Sequence, residues 1–193
     1  MNIEEKNKEL IKLFEFLIKD NKCVEKALRP YASLNNNWFS KPNHRFGKSE
    51  ICDSIFCKEL KIQYVDAKGH DAIINNMKIS IKGVSKNFLK SKEVKKIKMA
   101  NTLTDKDEVK IDFDYLILIQ YPSLRNKNIE KAFFLIEKEK ICLKRIKDGV
   151  EGSFHINDSL YYISNDVDIK VLSEKDSQIA YDEYAKNISN LIN

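Results

Sequence analysis

The stretch Gly69-His70-Asp71-Ala72-Ile73-Ile74-Asn75-Asn76-Met77-Lys78-Ile79-Ser80-Ile81-Lys82-Gly83 decides how the chain is read. Two runs rich in β-branched residues flank an Asn-Asn pair, and asparagine tolerates the positive φ that a two-residue hairpin turn demands. A turn at Asn75-Asn76 pairs Ile74 with Met77, Ile73 with Lys78, Ala72 with Ile79 and Asp71 with Ser80. Side chains alternate across a strand, so Lys78, Ser80 and Lys82 share a face with Asp71, while Met77, Ile79 and Ile81 form the opposite, apolar face. A carboxylate and an ammonium therefore emerge together.

Upstream of the hairpin, Ser49 can cap a helix that runs to about Leu60, with Ile51, Ile55, Phe56 and Leu60 turned inward and Glu50, Ser54 and Cys57 along another side. With its first turn over the open end of the hairpin, this helix brings Glu50 to Asp71. A strand over 61–65 joins the two. Earlier still, Leu10, Ile11, Leu13, Phe14, Phe16 and Leu17 recur at helical spacing over residues 3–19, and a shorter helix through Val24, Ala27 and Leu28 stops before Pro30. The polar stretch 34–47 reads as a loop.

Downstream, residues 92–100 read as a basic helix, and the apolar run 113–121 as a central strand buried on both faces, with 132–137 and 141–146 as its neighbours. Shorter strands fit 153–156, 160–163 and 168–172, before a C-terminal helix with Ile179, Tyr184, Ile188 and Leu191 inward. No repeat or low-complexity linker divides the chain. The expectation is one α/β domain over 1–193, with a helical N-terminal segment (1–30) and a core over 47–146 built on a mixed β-sheet flanked by helices.

Composition narrows the function classes. The 193 residues carry 34 Lys+Arg against 29 Asp+Glu, a formal charge of +5, and 42% are hydrophobic, which excludes global disorder. All but four of the basic residues are lysines, as codons of an AT-rich genome favour, so the positive balance is compatible with a polyanion without arguing for one. Cys23, Cys52, Cys57 and Cys142 form no CxxC pair, and His44, His70 and His155 are scattered, so neither a zinc site nor a disulfide framework is indicated; the cysteines read as small buried hydrophobes. Five glycines include no phosphate-cradling loop, which speaks against P-loop and dinucleotide chemistry. No apolar run approaches the roughly 18 residues that span a bilayer, and the first residues lack the basic-then-apolar order of a signal peptide. A cytoplasmic protein with no membrane partner is expected.

Two carboxylates and a lysine suit phosphodiester hydrolysis. Carboxylates hold hard, oxygen-loving Mg2+, the metal neutralises the phosphate and acidifies a water, and the lysine orients that water or steadies the growing charge. The backbone carbonyl of Ile81 would complete the shell.

Gly47-x-x-Glu50 opening a helix, then Gly69-His70-Asp71-Ala72, then Ile79-Ser80-Ile81-Lys82-Gly83 resembles the PD-(D/E)XK nuclease superfamily over about residues 47–83. The resemblance implies a restriction-endonuclease-like fold in which Glu50 matches the helix glutamate, Asp71 the metal-binding aspartate and Lys82 the catalytic lysine. Ser80 departs from the pattern, standing where Glu or Asp is usual. Some restriction enzymes of the superfamily supply the missing carboxylate from the following helix, which makes Glu93 a candidate metal ligand beside Glu50. The implied activity is magnesium-dependent, sequence-specific cleavage of double-stranded DNA by a type II restriction enzyme, as a homodimer on two-fold symmetric sites. A junction or repair nuclease of the same superfamily, and a non-catalytic DNA-binding module with a degenerate site, remain alternatives.

DNA contacts are expected from Trp38, Lys41, Arg45 and Lys48, where neighbouring asparagines read base edges and the cations meet phosphates. Trp38 is read equally well as a plug of the core under the loop. Ser85, Lys86 and Lys92 follow the hairpin and would track the phosphate backbone, a solvated basic face being the other reading. His70 is expected to be hydrogen-bonded and is left outside catalysis.

Overall fold

Asn75 and Asn76 take φ of +49° and +64°, and the strands beside them pair as alternation requires, Ile74 with Met77, Ile73 with Lys78 and Ala72 with Ile79. This hairpin lies within an α/β arrangement seen in a computed structural model that describes residues 3–17, 19–33, 48–67, 69–85, 94–99, 103–104, 109–110, 112–121, 128–129, 133–147, 149–155, 160–162 and 167–168. The expected 34–47 loop and the C-terminal helix lie outside the described residues.

Three helices lead: α1 (Ile3–Leu17), α2 (Asn21–Ser33) and α3 (Lys48–Glu59). Strands follow as β1 (Gln63–Ala67), β2 (His70–Ile74), β3 (Met77–Ser85), β4 (Val94–Met99), β5 (Leu103–Thr104), β6 (Val109–Lys110), β7 (Tyr115–Tyr121), β8 (Asn128–Ile129), β9 (Phe133–Glu137), β10 (Cys142–Ile146), β11 (Gly149–His155), β12 (Leu160–Tyr162) and β13 (Val167–Asp168). Six of them form a mixed sheet in the order β1-β2-β3-β7-β9-β12, in which only β3 and β7 run parallel. A second, antiparallel sheet has the order β10-β11-β4.

The apolar run at 115–119 explains the layering. Ile117 and Ile119 pack with Ile79, Ile81, Ala72 and the helices, while Leu116 and Leu118 pack with Phe134 and Ile136 of β9 and with Ile97, Val150 and Phe154 of the second sheet. The large sheet is thus sandwiched, helices on one face and a small sheet on the other, which calls for apolar residues on both faces of β7 over 115–119. Among the described residues, helices flank one face only. Gly152 of β11 permits the close approach of the layers, since a Cβ there would stand 3.1 Å from Ile141 Cγ2 and 3.3 Å from Met99 Cγ.

Several expectations need correction. Residues 94–99 form a strand, not part of a basic helix: β11 supplies a ladder partner for each residue, and alternate burial places Lys95, Ile97 and Met99 inside. The expected strand at 141–146 is realised as β10 but belongs to the second sheet rather than lying beside β7. Helix α2 does not stop before Pro30; it runs through it to Ser33, because Ala27, Leu28, Pro30 and Tyr31 are all buried and packing outweighs the lost backbone bond. Its start is fixed by Asp20, whose Oδ1 accepts from Lys22 N at 2.9 Å and Cys23 N at 3.3 Å. Helix α3 begins at Lys48, so Ser49 lies inside its first turn rather than capping it. Residues 51–57 are buried without interruption, so Ser54 and Cys57 face protein too. Of the cysteines, Cys52 and Cys57 are buried, whereas Cys142 is exposed.

Phe56 is fully buried among the helices and the sheet, whereas Phe16 is 69% exposed. Phe56→Ala is expected to cost about 3–5 kcal/mol in urea unfolding and Phe16→Ala less than about 0.5 kcal/mol. Similar losses for the two would refute the packing of α3 described above.

Candidate active site

The hairpin opens at Asp71. Regular pairing of β2 with β3 ends at Ala72 and Ile79. A two-residue turn makes Ile74–Met77 and then Ala72–Ile79 the pairs that exchange both backbone bonds, so His70–Ile81 is next in line. Instead, Ile81 N–H donates to Asp71 Oδ2 at 2.7 Å, and Ser80 Oγ donates to the same oxygen at 3.2 Å. On the other side of β2 the register slips as well. Tyr64 pairs with Ala72 and Ala67 with His70, leaving Val65 and Asp66 against Asp71 alone. Such a bulge twists the strand and re-aims the residue it faces.

The consequence is a half-buried carboxylate with one oxygen committed and one available: Oδ1 of Asp71 takes no hydrogen bond among the described residues. Alternation turns the N–H and C=O of Ile81 both toward β2, the side of the Asp71 carboxylate. Lys78 O, of opposite parity, accepts from Asp114 N on the β7 side at 2.8 Å, as that alternation requires. Lys82 follows Ile81, half-buried and without an ion pair among the described residues.

Glu50 stands exposed in the first turn of α3 and makes no hydrogen bond or ion pair to Asp71 or Lys82. What links the helix to the hairpin is Asp53, one turn further on and absent from the expected site. Its carboxylate is buried and accepts a hydrogen bond from the Tyr31 hydroxyl of α2. Burial pushes the Asp53 carboxyl well above its usual range, and the Asp71 charge pushes the same way; the Tyr31 hydrogen bond and the Lys82 ammonium oppose them, and Glu50 adds to the rise. Asp53 thus feels Glu50, Asp71 and Lys82 together. Burial and Asp53 likewise raise the Tyr31 hydroxyl, and burial, Asp53 and Asp71 raise the Cys57 thiol. The Glu50-x-x-Asp53 spacing, which stacks two acids on one side of a helix, was the available sequence signal.

A second cluster lies beside the first. Lys78 Nζ holds Asp112 at 2.6 Å, and this contact, more than the opposing burial, lowers the Asp112 carboxyl below its usual range. His70 Nδ1 is 3.4 Å from Asp112 Oδ2 and is buried without a hydrogen bond of good geometry among the described residues. The expectation that His70 is simply hydrogen-bonded therefore fails at Nδ1.

Trp38, Lys41, Arg45, Lys86, Lys92 and Glu93 lie outside the described residues, and the helix expected to carry Glu93 is replaced over 94–99 by β4. Lys48 opens α3 and Ser85 closes β3. Among the described residues, no group of three or more His, Cys, Asp or Glu side chains is placed to hold a metal ion. The chain matches no protein-family model, and no curated protein or solved structure shows significant similarity to it. The chemistry of the site therefore rests on its own geometry.

A carboxyl whose folded pKa is raised contributes stability that is fully present below its unfolded pKa and lost as pH rises through the folded one. Asp53→Asn keeps an acceptor for Tyr31 and cannot ionise. It is expected to raise the urea midpoint at pH 7, with the gain shrinking toward pH 4. A variant less stable than the parent at pH 7 would mean that Asp53 is ionised and held by a cation.

Proposed function

We propose that the chain is a magnesium-dependent endonuclease of restriction-endonuclease-like fold that hydrolyses phosphodiester bonds of double-stranded DNA, in the manner of a type II restriction enzyme. What carries the reading is the Asp71 carboxylate, bonded to Ile81 N–H where the hairpin opens, with Lys82 next in the strand. Mg2+ asks for only one or two carboxylates, because it keeps several waters and takes further oxygens from phosphate. In this reading Asp71 Oδ1 and the Ile81 carbonyl would meet that modest demand, with Glu50, exposed in the first turn of α3, as the second carboxylate. When bound, the ion would neutralise phosphate charge and make a water more acidic.

The protein groups have separate tasks in this reading. Asp71 is fixed by two donors to one oxygen, so the other keeps its direction. Lys82 brings a positive charge to the phosphoryl oxygens and orients the attacking water. Two-fold symmetric sites in duplex DNA would call for a homodimer acting in the cytoplasm. One observation favours a second reading, a module that binds DNA without cutting it: Ser80 hydrogen-bonds Asp71 where a further carboxylate would add negative charge.

Incubating the protein with plasmid and Mg2+ is expected to give discrete, reproducible fragments. Lys82→Ala should slow cleavage on the order of 100-fold or more, and Asp71→Asn should abolish it, with folding followed by circular dichroism. Undiminished cutting by either variant refutes the site. Smeared products, or a preference for branched substrates, favour a repair or junction nuclease, and retardation without any nicking favours the non-catalytic module.

A further inference from the structure

The strand at 94–99 creates a surface that a helix would not. Register fixes its composition: Lys98, Glu151 and Lys144 stand side by side across β4, β11 and β10, and Lys96, Ser153 and Cys142 form the next row. Alternation turns all six outward, since Ile97, Met99, Val150 and Phe154 of opposite parity are buried. Lys96 is 64% exposed and pairs with Glu151 at 2.9 Å, a surface contact of little strength. Lys98 and Lys144 flank the same carboxylate and make no ion pair among the described residues. Gly149 leaves a path for one of them, the Lys98 Cε lying 3.8 Å from where a Cβ would stand. Three lysines of this face thus stand around one carboxylate, and one of them is paired with it.

We propose that this outer face of the three-stranded sheet is a docking surface for the phosphate backbone of duplex DNA, an inference that rests on the nuclease reading and names where the substrate lies. Charge complementarity selects the partner. Lysines two residues apart on a strand are separated by roughly 6.8 Å, the scale on which successive phosphates of one nucleic-acid strand are spaced. Among the described residues the face carries no Phe, Tyr or Trp, and its one ring is His155, opposite Val94 at the end of the β11–β4 ladder. A single imidazole at one end is not the row of stacking rings that single-stranded ligands use, and the Trp and Phe anchors of a membrane-surface helix are absent among the described residues. Contact is with phosphate and independent of sequence.

The test is the salt dependence of binding to a short duplex, followed by fluorescence anisotropy in calcium. The variant Lys96→Gln/Lys98→Gln/Lys144→Gln is compared with Lys12→Gln/Lys19→Gln/Lys58→Gln, which changes charge equally on exposed positions away from this sheet. Each lost phosphate contact removes roughly 0.9 from the slope of log affinity against log salt, so the first variant should flatten the slope by about 2 to 3 and weaken binding alike on unrelated duplexes. The second should match the parent, and all three should share one urea midpoint. Equal loss in both variants, an unchanged slope in the first, a parent that does not bind duplex at low salt, or loss confined to anionic vesicles would each overturn the surface. A parent that binds through these lysines but never cleaves in Mg2+ keeps the surface and loses the nuclease; a parent that cleaves while the first variant binds normally does the reverse.

Discussion

The hydrogen bond from Ile81 N–H to the Asp71 carboxylate is the contact on which the site depends. An N–H inside a sheet needs an acceptor, and leaving it without one costs about 1–3 kcal/mol. A carboxylate is a stronger acceptor than the carbonyl of a regular ladder, so the strands part with that need met. The bulge at Val65-Asp66 releases β2 on its other edge at the same residue. Both neighbours of β2 thus yield at Asp71, and a side chain takes the place of backbone. The rest of β3 cannot follow it outward, because it is held to β7 in register from Ile79 opposite Tyr115 to Ser85 opposite Tyr121.

That anchoring sets the surroundings. β7 is buried on both faces, so β3 is pinned between layers that resist displacement. Helix α3 is buried from Ile51 through Cys57 and reaches the surface at Glu50 in its first turn and at Lys58 in its last. Asp53 is consequently an acid in a place suited to none, tolerated through one hydroxyl from Tyr31 and the opposing charge of Lys82. Burial and the Asp71 charge favour the neutral form of Asp53, and a cation entering the cluster would favour its ionised form.

Where pattern is local, the sequence is informative. Asn75-Asn76 and the alternation on either side specify the turn, the three pairs from Ile74–Met77 to Ala72–Ile79 and the closeness of Asp71 to Ser80, and the structure has these, but the expected Asp71–Ser80 pair is not part of the ladder, which ends one residue earlier. The apolar run at 115–119 likewise announces a strand buried on both sides. What failed depended on distant partners. Val94-Lys95-Lys96-Ile97-Lys98-Met99 has too few apolar residues to declare a period, and its strand exists because β11 supplies a ladder. Pro30 looked like a stop because the buried surface that holds the last turn of α2 is formed with other elements. Asp53 is silent for a related reason: an acid one turn after Glu50 reads as surface until the burial of residues 51–57 is known.

Ser80 is then better understood through Asp53 than through its own hydroxyl. A carboxylate at position 80 would stand beside Asp71, whose charge already acts on Asp53, and would add a third acid to a cluster with Lys82 as its opposing charge; neighbouring like charges disfavour one another's ionisation. With serine there, and with burial and Asp71 favouring the neutral form of Asp53, the cluster is closer to electrical balance. The hydroxyl also spends its proton on Asp71 Oδ2, leaving Oδ1 the better directed of the two oxygens. Loss of a charge at one position is thus accompanied by a gain in definition at the next, and the ionisation of Asp53 is left to whatever cation the cluster receives.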